Sequence, residues 1–90
     1  MKASSDFILR EIAGEYILVP TGPAAARFNG LITLNETAHS IFLALQKGPQ
    51  SVDSLTDAVT SEFDVPEETA RSDVRDFLSQ LRQVGALVEP

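Results

Sequence analysis

Catalysis by side chains alone needs a nucleophile with a base, two carboxylates in different environments, or a bound metal. The chain has no cysteine and one histidine, His39, so thiolate nucleophiles and thiolate metal sites are excluded and a zinc site would have to rest on carboxylates. Nothing in the spacing suggests a metal, and no cofactor is expected. His39 follows Ala38 and precedes Ile41 by two positions, on the border of an apolar helical face. Only Glu36 lies within reach at the start of that helix, so His39 reads as a structural side chain rather than a base. Near the C-terminus, Arg71, Arg75, Leu78 and Arg82 recur at i, i+4, i+7 and i+11, lining one edge of an apolar stripe. Asp73, Asp76 and Gln80 occupy the opposite edge. The arginine ridge has two readings. It is a solvated flank with pairs such as Glu67 to Arg71 and Glu68 to Arg75, each worth about 0.3 to 0.5 kcal/mol, or it borders a groove for an anionic partner. No catalytic site assembles from these residues.

The composition narrows the classes further. Ninety residues supply one core, because a chain this short cannot divide its burial between two. With 43% hydrophobic and 22% charged residues it lies within ordinary globular usage, away from the disordered corner. Apolar runs of three or four residues fall far short of the ~20 that cross a bilayer. Met1 to Asp6 lacks the basic-then-apolar order of a signal peptide, so a cytoplasmic location without membrane contact is expected. Thirteen acidic against seven basic side chains give a net charge of -6, a field that repels phosphate backbones and anionic lipid.

These side chains must be positioned by a short series of elements. Phe7 to Ile12 and Glu15 to Pro20 carry β-formers on either side of Ala13-Gly14, the spacing of a hairpin. Alternation sets Ile8, Arg10 and Ile12 on one face and Phe7, Leu9 and Glu11 on the other, so partial cover is expected on both. Thr21 to Gly30 shows neither the 2-residue nor the 3.6-residue period and reads as a loop. Leu31 to Leu34 is a short third strand ended by Asn35, which can cap the helix that follows. That helix runs from Glu36 to Lys47 with Ala38, Ile41, Phe42 and Leu45 on one face, and Gly48-Pro49 stops it. Ser51 caps a second helix ending near Phe63. Pro66 opens a third, whose stripe is Ala70, Val74, Phe77, Leu78, Leu81 and Val84 and which Gly85 closes. Ala86 to Val88 forms an extended tail. The expected fold is α+β: one winged helix-turn-helix-like domain over residues 7–88, a three-stranded antiparallel sheet followed by three helices, with residues 1–6 as an N-terminal extension.

The order Phe7-Ile8-Leu9-Arg10-Glu11-Ile12, Tyr16-Ile17-Leu18-Val19-Pro20 and Asn29-Gly30-Leu31-Ile32-Thr33-Leu34-Asn35-Glu36-Thr37-Ala38 resembles the PqqD-like family. So does Asp73-Val74-Arg75-Asp76-Phe77-Leu78-Ser79-Gln80-Leu81, similar to that family's D-V-x-x-F-L-x-x-L signature ahead of Gly85 and Leu87-Val88. The resemblance spans essentially the whole chain. It implies a non-catalytic recognition element that holds the leader of a ribosomally made precursor peptide and presents it to a modifying enzyme, often of radical SAM/SPASM type with iron-sulfur clusters. The family's namesake does this in pyrroloquinoline quinone biosynthesis. The run Leu34-Asn35-Glu36-Thr37-Ala38 is similar instead to the broader group of standalone recognition proteins.

A mechanism follows from the residues. A short third strand at a sheet edge leaves unpaired N–H and C=O groups to which an extended peptide adds as a strand. The backbone contacts are then Leu31, Ile32, Thr33 and Leu34. The resemblance sets the third helix beside them, with Val74, Phe77, Leu78 and Leu81 as candidates for apolar pockets; most of these atoms must also serve the core, so one or two, Leu78 foremost, are expected to touch the peptide. Beyond the resemblance, Arg71, Arg75 and Arg82 are expected to meet leader carboxylates. Three rivals stand against this reading. A winged-helix DNA-binding regulator shares the helical core, but its second helix would be acidic (Asp53, Asp57, Glu62). Asp53-Ser54-Leu55 looks like the D-S-L attachment site of acyl carrier proteins, although Ser54 suits a first-turn cap and carriers lack strands. A homodimer through the same strand edge is the third.

Overall fold

The computed structural model describes residues 1–27 and 30–89. Its elements are β1 (Lys2–Ala3), β2 (Phe7–Ile12), β3 (Glu15–Pro20), α1 (Gly22–Arg27), β4 (Ile32–Leu34), α2 (Glu36–Lys47), α3 (Val52–Glu62), α4 (Glu67–Val84) and β5 (Leu87–Val88). The fold is α+β, with β2, β3 and β4 in one antiparallel sheet in that order. The three long helices pack on one another and against the sheet.

The hairpin closes through a two-residue turn, since Ile12 pairs with Glu15. Both turn residues have positive φ, Ala13 at 52° and Gly14 at 82°, the sense that matches the right-handed twist of the flanking strands. Glycine takes this conformation freely, whereas Ala13 adopts it against its Cβ. The pleat turns Phe7, Leu18, Ile32 and Leu34 inward, all of them buried. On the outer face Ile8 and Ile12 remain 40% and 53% exposed, which corrects the expectation of cover on both faces: every long helix lies on the Phe7 side.

One expected loop is in part a helix. Between β3 and β4, α1 takes up Gly22–Arg27, within the stretch read as Thr21 to Gly30; residues 28 and 29 of that stretch lie outside the described ones. Three alanines of high helix propensity follow Pro23, and the amide of Ala24 donates to the Thr21 carbonyl at 3.1 Å. Six residues with only Ala24 buried are too few to print a 3.6-residue period.

The long helices begin and end where side chains satisfy their free backbone groups. Asn35 Oδ1 accepts from the Ala38 amide at 2.8 Å to open α2. Ser51 and Ser54 exchange side-chain and backbone bonds in a capping box at α3. Pro66 sits at the N-cap of α4, one position before the helix proper, and Gly85 ends it with φ 75°. The amide of Ala86 then reaches back to the Leu81 carbonyl at 2.8 Å, and Arg82 donates to Glu89 at 2.7 Å. The tail therefore folds back along α4 as β5, which pairs antiparallel with β1, Lys2 opposite Val88. Gln50 fixes the N-terminal segment from the α2–α3 turn, donating its amide to the Met1 carbonyl at 2.7 Å. Phe42 of α2 is fully buried, with Ile41, Leu45, Leu55, Val59, Val74, Leu78 and Leu81 around it in one core.

The strained alanine yields a prediction. Replacing Ala13 by Asn, which tolerates the left-handed region, should stabilise the domain by about 0.5 to 1 kcal/mol, a rise in Tm of a few degrees by differential scanning calorimetry. An unchanged or lowered Tm would show that the turn carries no such strain.

Candidate functional site

Among the described residues β4 has one strand neighbour, β3, so its other long side is an open edge. The opposite sheet edge, along β2, is open as well. Beside β4 a groove of about 250 Å³ runs between the strand, the start of α2 and the flank of α4. Its floor is apolar, made by Leu34, Ile41 and Phe77, which are buried but for a few per cent of their surface, together with Ala38. One wall is Thr33, Asn35 and Thr37; the other is Asp73, Asp76 and Gln80.

Each element has a local reason to be there. Asn35 ends the strand and caps the helix in one residue, so β4 passes directly into α2 and Ile41 arrives beneath the edge. The apolar stripe of α4 anchors that helix over the core. At about 100° per residue, Phe77 falls between the centre of the stripe and its acidic edge, while Leu78 falls toward the arginines. The acidic edge is the one turned to β4.

This placement revises several expected contacts. Thr33 and Leu34 line the groove and Ile32 sits beside them with its side chain buried; Leu31, 60% exposed, precedes the strand rather than opening it. Of the four apolar candidates on α4, one or two of which are expected to reach a guest, Phe77 alone is among the groove's lining residues. Val74 and Leu81 are fully buried and Leu78 is 1% exposed, so Leu78 is a core residue and not the foremost surface contact. The arginines do not face the groove. Arg71 donates to Asp53 at 2.6 Å and stands 3.5 Å from Glu67, tying α4 to α3. Arg82 holds Glu89 of the tail. Arg71 and Arg75 flank a second shallow depression with Glu67, Glu68, Ser72 and Asp76, the last of which borders the groove as well, and among the described residues Glu68 and Arg75 form no ion pair. The hydrogen bond to Asp53 outweighs desolvation and holds the Arg71 guanidinium more firmly protonated than a free arginine. Because that shift is upward, its contribution is fully present below the ordinary arginine range and does not vary across neutral pH.

The helical spacing puts Asp73, Asp76 and Gln80 on one edge of α4 but by itself assigns them no site. Their spacing with Phe77 was the available signal: residues 73, 77 and 80 share one helical face. In the sequence, Thr37, Ala38 and Ile41 carry only helix and core signals.

The remaining candidates have structural roles. His39 stacks on Tyr16 with ring centroids 3.6 Å apart and 11° between planes, joining α2 to β3. The Ser54 hydroxyl is engaged with Gln50 at 2.8 Å and with the backbone of Ser51, so the D-S-L serine is part of a cap. A DNA-reading surface is not favoured: α3 has no basic residue, and two of the three arginines of α4 are already tied.

The fold and its groove define a small α+β domain with an open strand edge beside a helix. The family model for coenzyme PQQ synthesis protein D (PqqD) matches residues 15–87, and the chain belongs to that family. Among solved structures it is similar to TbiB1 in complex with the TbiA(beta) leader peptide, with TM-score 0.77 and 24% identity over 100% of this chain and 98% of that one. It is also similar to a lasso peptide synthetase B1 complexed with the leader peptide, with TM-score 0.73 and 20% identity over 98% and 96% of the two chains. No curated protein matches it.

Burial separates the structural from the accessible residues of α4. Leu78→Ala should lower the unfolding free energy by about 2 to 5 kcal/mol in urea titrations, the cost of a core truncation. Arg75→Ala should change it by no more than about 0.5 kcal/mol. Equal effects would mean that the core stripe of α4 is misassigned.

Proposed function

We propose that the chain holds the leader segment of a ribosomally made precursor peptide as an added strand on β4 and presents it to a modifying enzyme of radical SAM type. The observation that carries this reading is the open edge of β4 running beside an apolar-floored groove, in a chain of the PqqD family. Two proteins of the same fold bind leader peptides, which supports it. Main-chain bonds to β4 supply affinity that is nearly independent of sequence, and alternate side chains of the guest strand drop onto Leu34, Ile41 and Phe77 for specificity.

The chain acts in the cytoplasm and contributes binding rather than catalysis. Keeping the leader extended leaves the segment to be modified free for the partner enzyme. The β4 edge is also where a second copy would pair, so homodimer and peptide complex compete for the same groups. A leader that orders on binding loses part of the interaction free energy to conformational entropy, which points to roughly micromolar affinity.

The test uses a synthetic leader peptide from the precursor gene beside this one. Titrated into isotope-labelled protein, it should shift amide signals of Ile32–Leu34 and of residues 73–80, and leave Phe7–Ile12 unmoved. N-methylating alternate residues of the peptide, in the phase that faces β4, should weaken binding at least tenfold through lost main-chain bonds (about 1.4 kcal/mol or more), with the opposite phase tolerated. Shifts confined to β2, or indifference to methylation in both phases, would place the peptide elsewhere.

A further inference from the structure

The groove beside β4 is charged on one wall only. Asp73 and Asp76 are both exposed there, one helical turn apart, and no lysine or arginine is among the lining residues. Among the described residues neither carboxylate has a cation within 4.0 Å. Two like charges at i, i+3 on a helix repel each other, and nothing described in the groove offsets that repulsion. Two of the three arginines of α4 are committed elsewhere, Arg71 to Asp53 and Glu67 and Arg82 to Glu89; Arg75, without an ion pair among the described residues, lines a depression outside the groove that Asp76 also borders. The carboxylates thus overlook a floor of Leu34, Ile41 and Phe77, where a guest strand would displace water and strengthen any attraction to them.

We propose, resting on the strand-addition reading, that the guest is a basic and apolar peptide. It carries an arginine or lysine that meets Asp73 and Asp76, two positions from an apolar residue seated on the floor. Two-residue spacing follows from the pleat, which returns to the same face at every second residue. Arginine fits better than lysine, because its planar fork can address two neighbouring carboxylates at once. The guest's charge is therefore opposite to that expected had the arginine ridge faced the groove.

Random peptides of about twelve residues, longer than one typical strand, displayed on phage and selected against the full chain, test this without knowledge of the natural guest. Selected peptides are synthesised and sorted by whether they shift the amides of Ile32–Leu34. Those that do should be enriched in arginine or lysine two positions from an apolar residue, and should bind more tightly as salt is lowered. Against the Asp73→Lys/Asp76→Lys chain their affinity should fall about five- to tenfold, and fresh selection should now recover aspartate or glutamate at that position. The milder Asp73→Asn/Asp76→Asn chain should lose roughly half of that effect on a logarithmic scale. Both positions are exposed, and circular dichroism checks that the variants stay folded. If β4-shifting peptides show no basic preference, or ignore the reversal, the charge inference falls and strand addition stands. If no selected peptide shifts β4, both fall.

Discussion

A strand at the margin of a sheet has main-chain groups that its own sheet does not bond. In this protein β4 is such a strand, only three residues long, with β3 on one side and a groove on the other. The surrounding architecture follows from keeping that edge in place yet unpaired. Ile32 and Leu34 fasten it from within, as buried side chains of the same pleat. Asn35 ends it at once by capping α2, so the edge is too short to invite indiscriminate pairing. The helix that forms the far wall is held by its stripe of buried residues from Ala70 to Leu81, which fixes the separation between strand and helix.

The distribution of charge follows from the same geometry. Arg71 clips α4 to α3 and Arg82 clips the tail to α4, so arginines that look like a binding ridge in the linear sequence act as fasteners on the far side. Exposed ion pairs of this kind add little stability individually. Their larger consequence is that they withdraw positive charge from the groove, leaving Asp73 and Asp76 to define its potential. In a chain of net charge -6, a groove of matching sign disfavours nucleic acid and anionic lipid and favours basic guests.

Much of the scaffold was legible in the residues. The hairpin around Ala13-Gly14, the direct passage from strand to helix at Asn35, and the stops at Gly48-Pro49 and Gly85 are local signals whose physics is complete within a few residues. The same holds for the capping serines, which gives Ser54 a structural role in the cap. Where the signal was weak, the reading missed. Six residues of α1 bury one alanine and leave no periodic trace, and the pairing of Lys2–Ala3 with Leu87–Val88 joins opposite ends of the chain. Pairing across such a separation has no local signature, since two-residue strands are too short for a pattern.

The sequence by itself determined which residues of α4 share a face and that this face is apolar, because helical periodicity is a property of the chain alone. It could not determine which edge of that face meets the strand. Both edges flank the stripe symmetrically, one with arginines and one with aspartates. Only the side from which the sheet packs breaks the tie. That choice depends on contacts among β4, α2 and α4, residues about forty apart, so packing of the whole domain turned the acidic edge inward to the groove and moved Leu78 into the core.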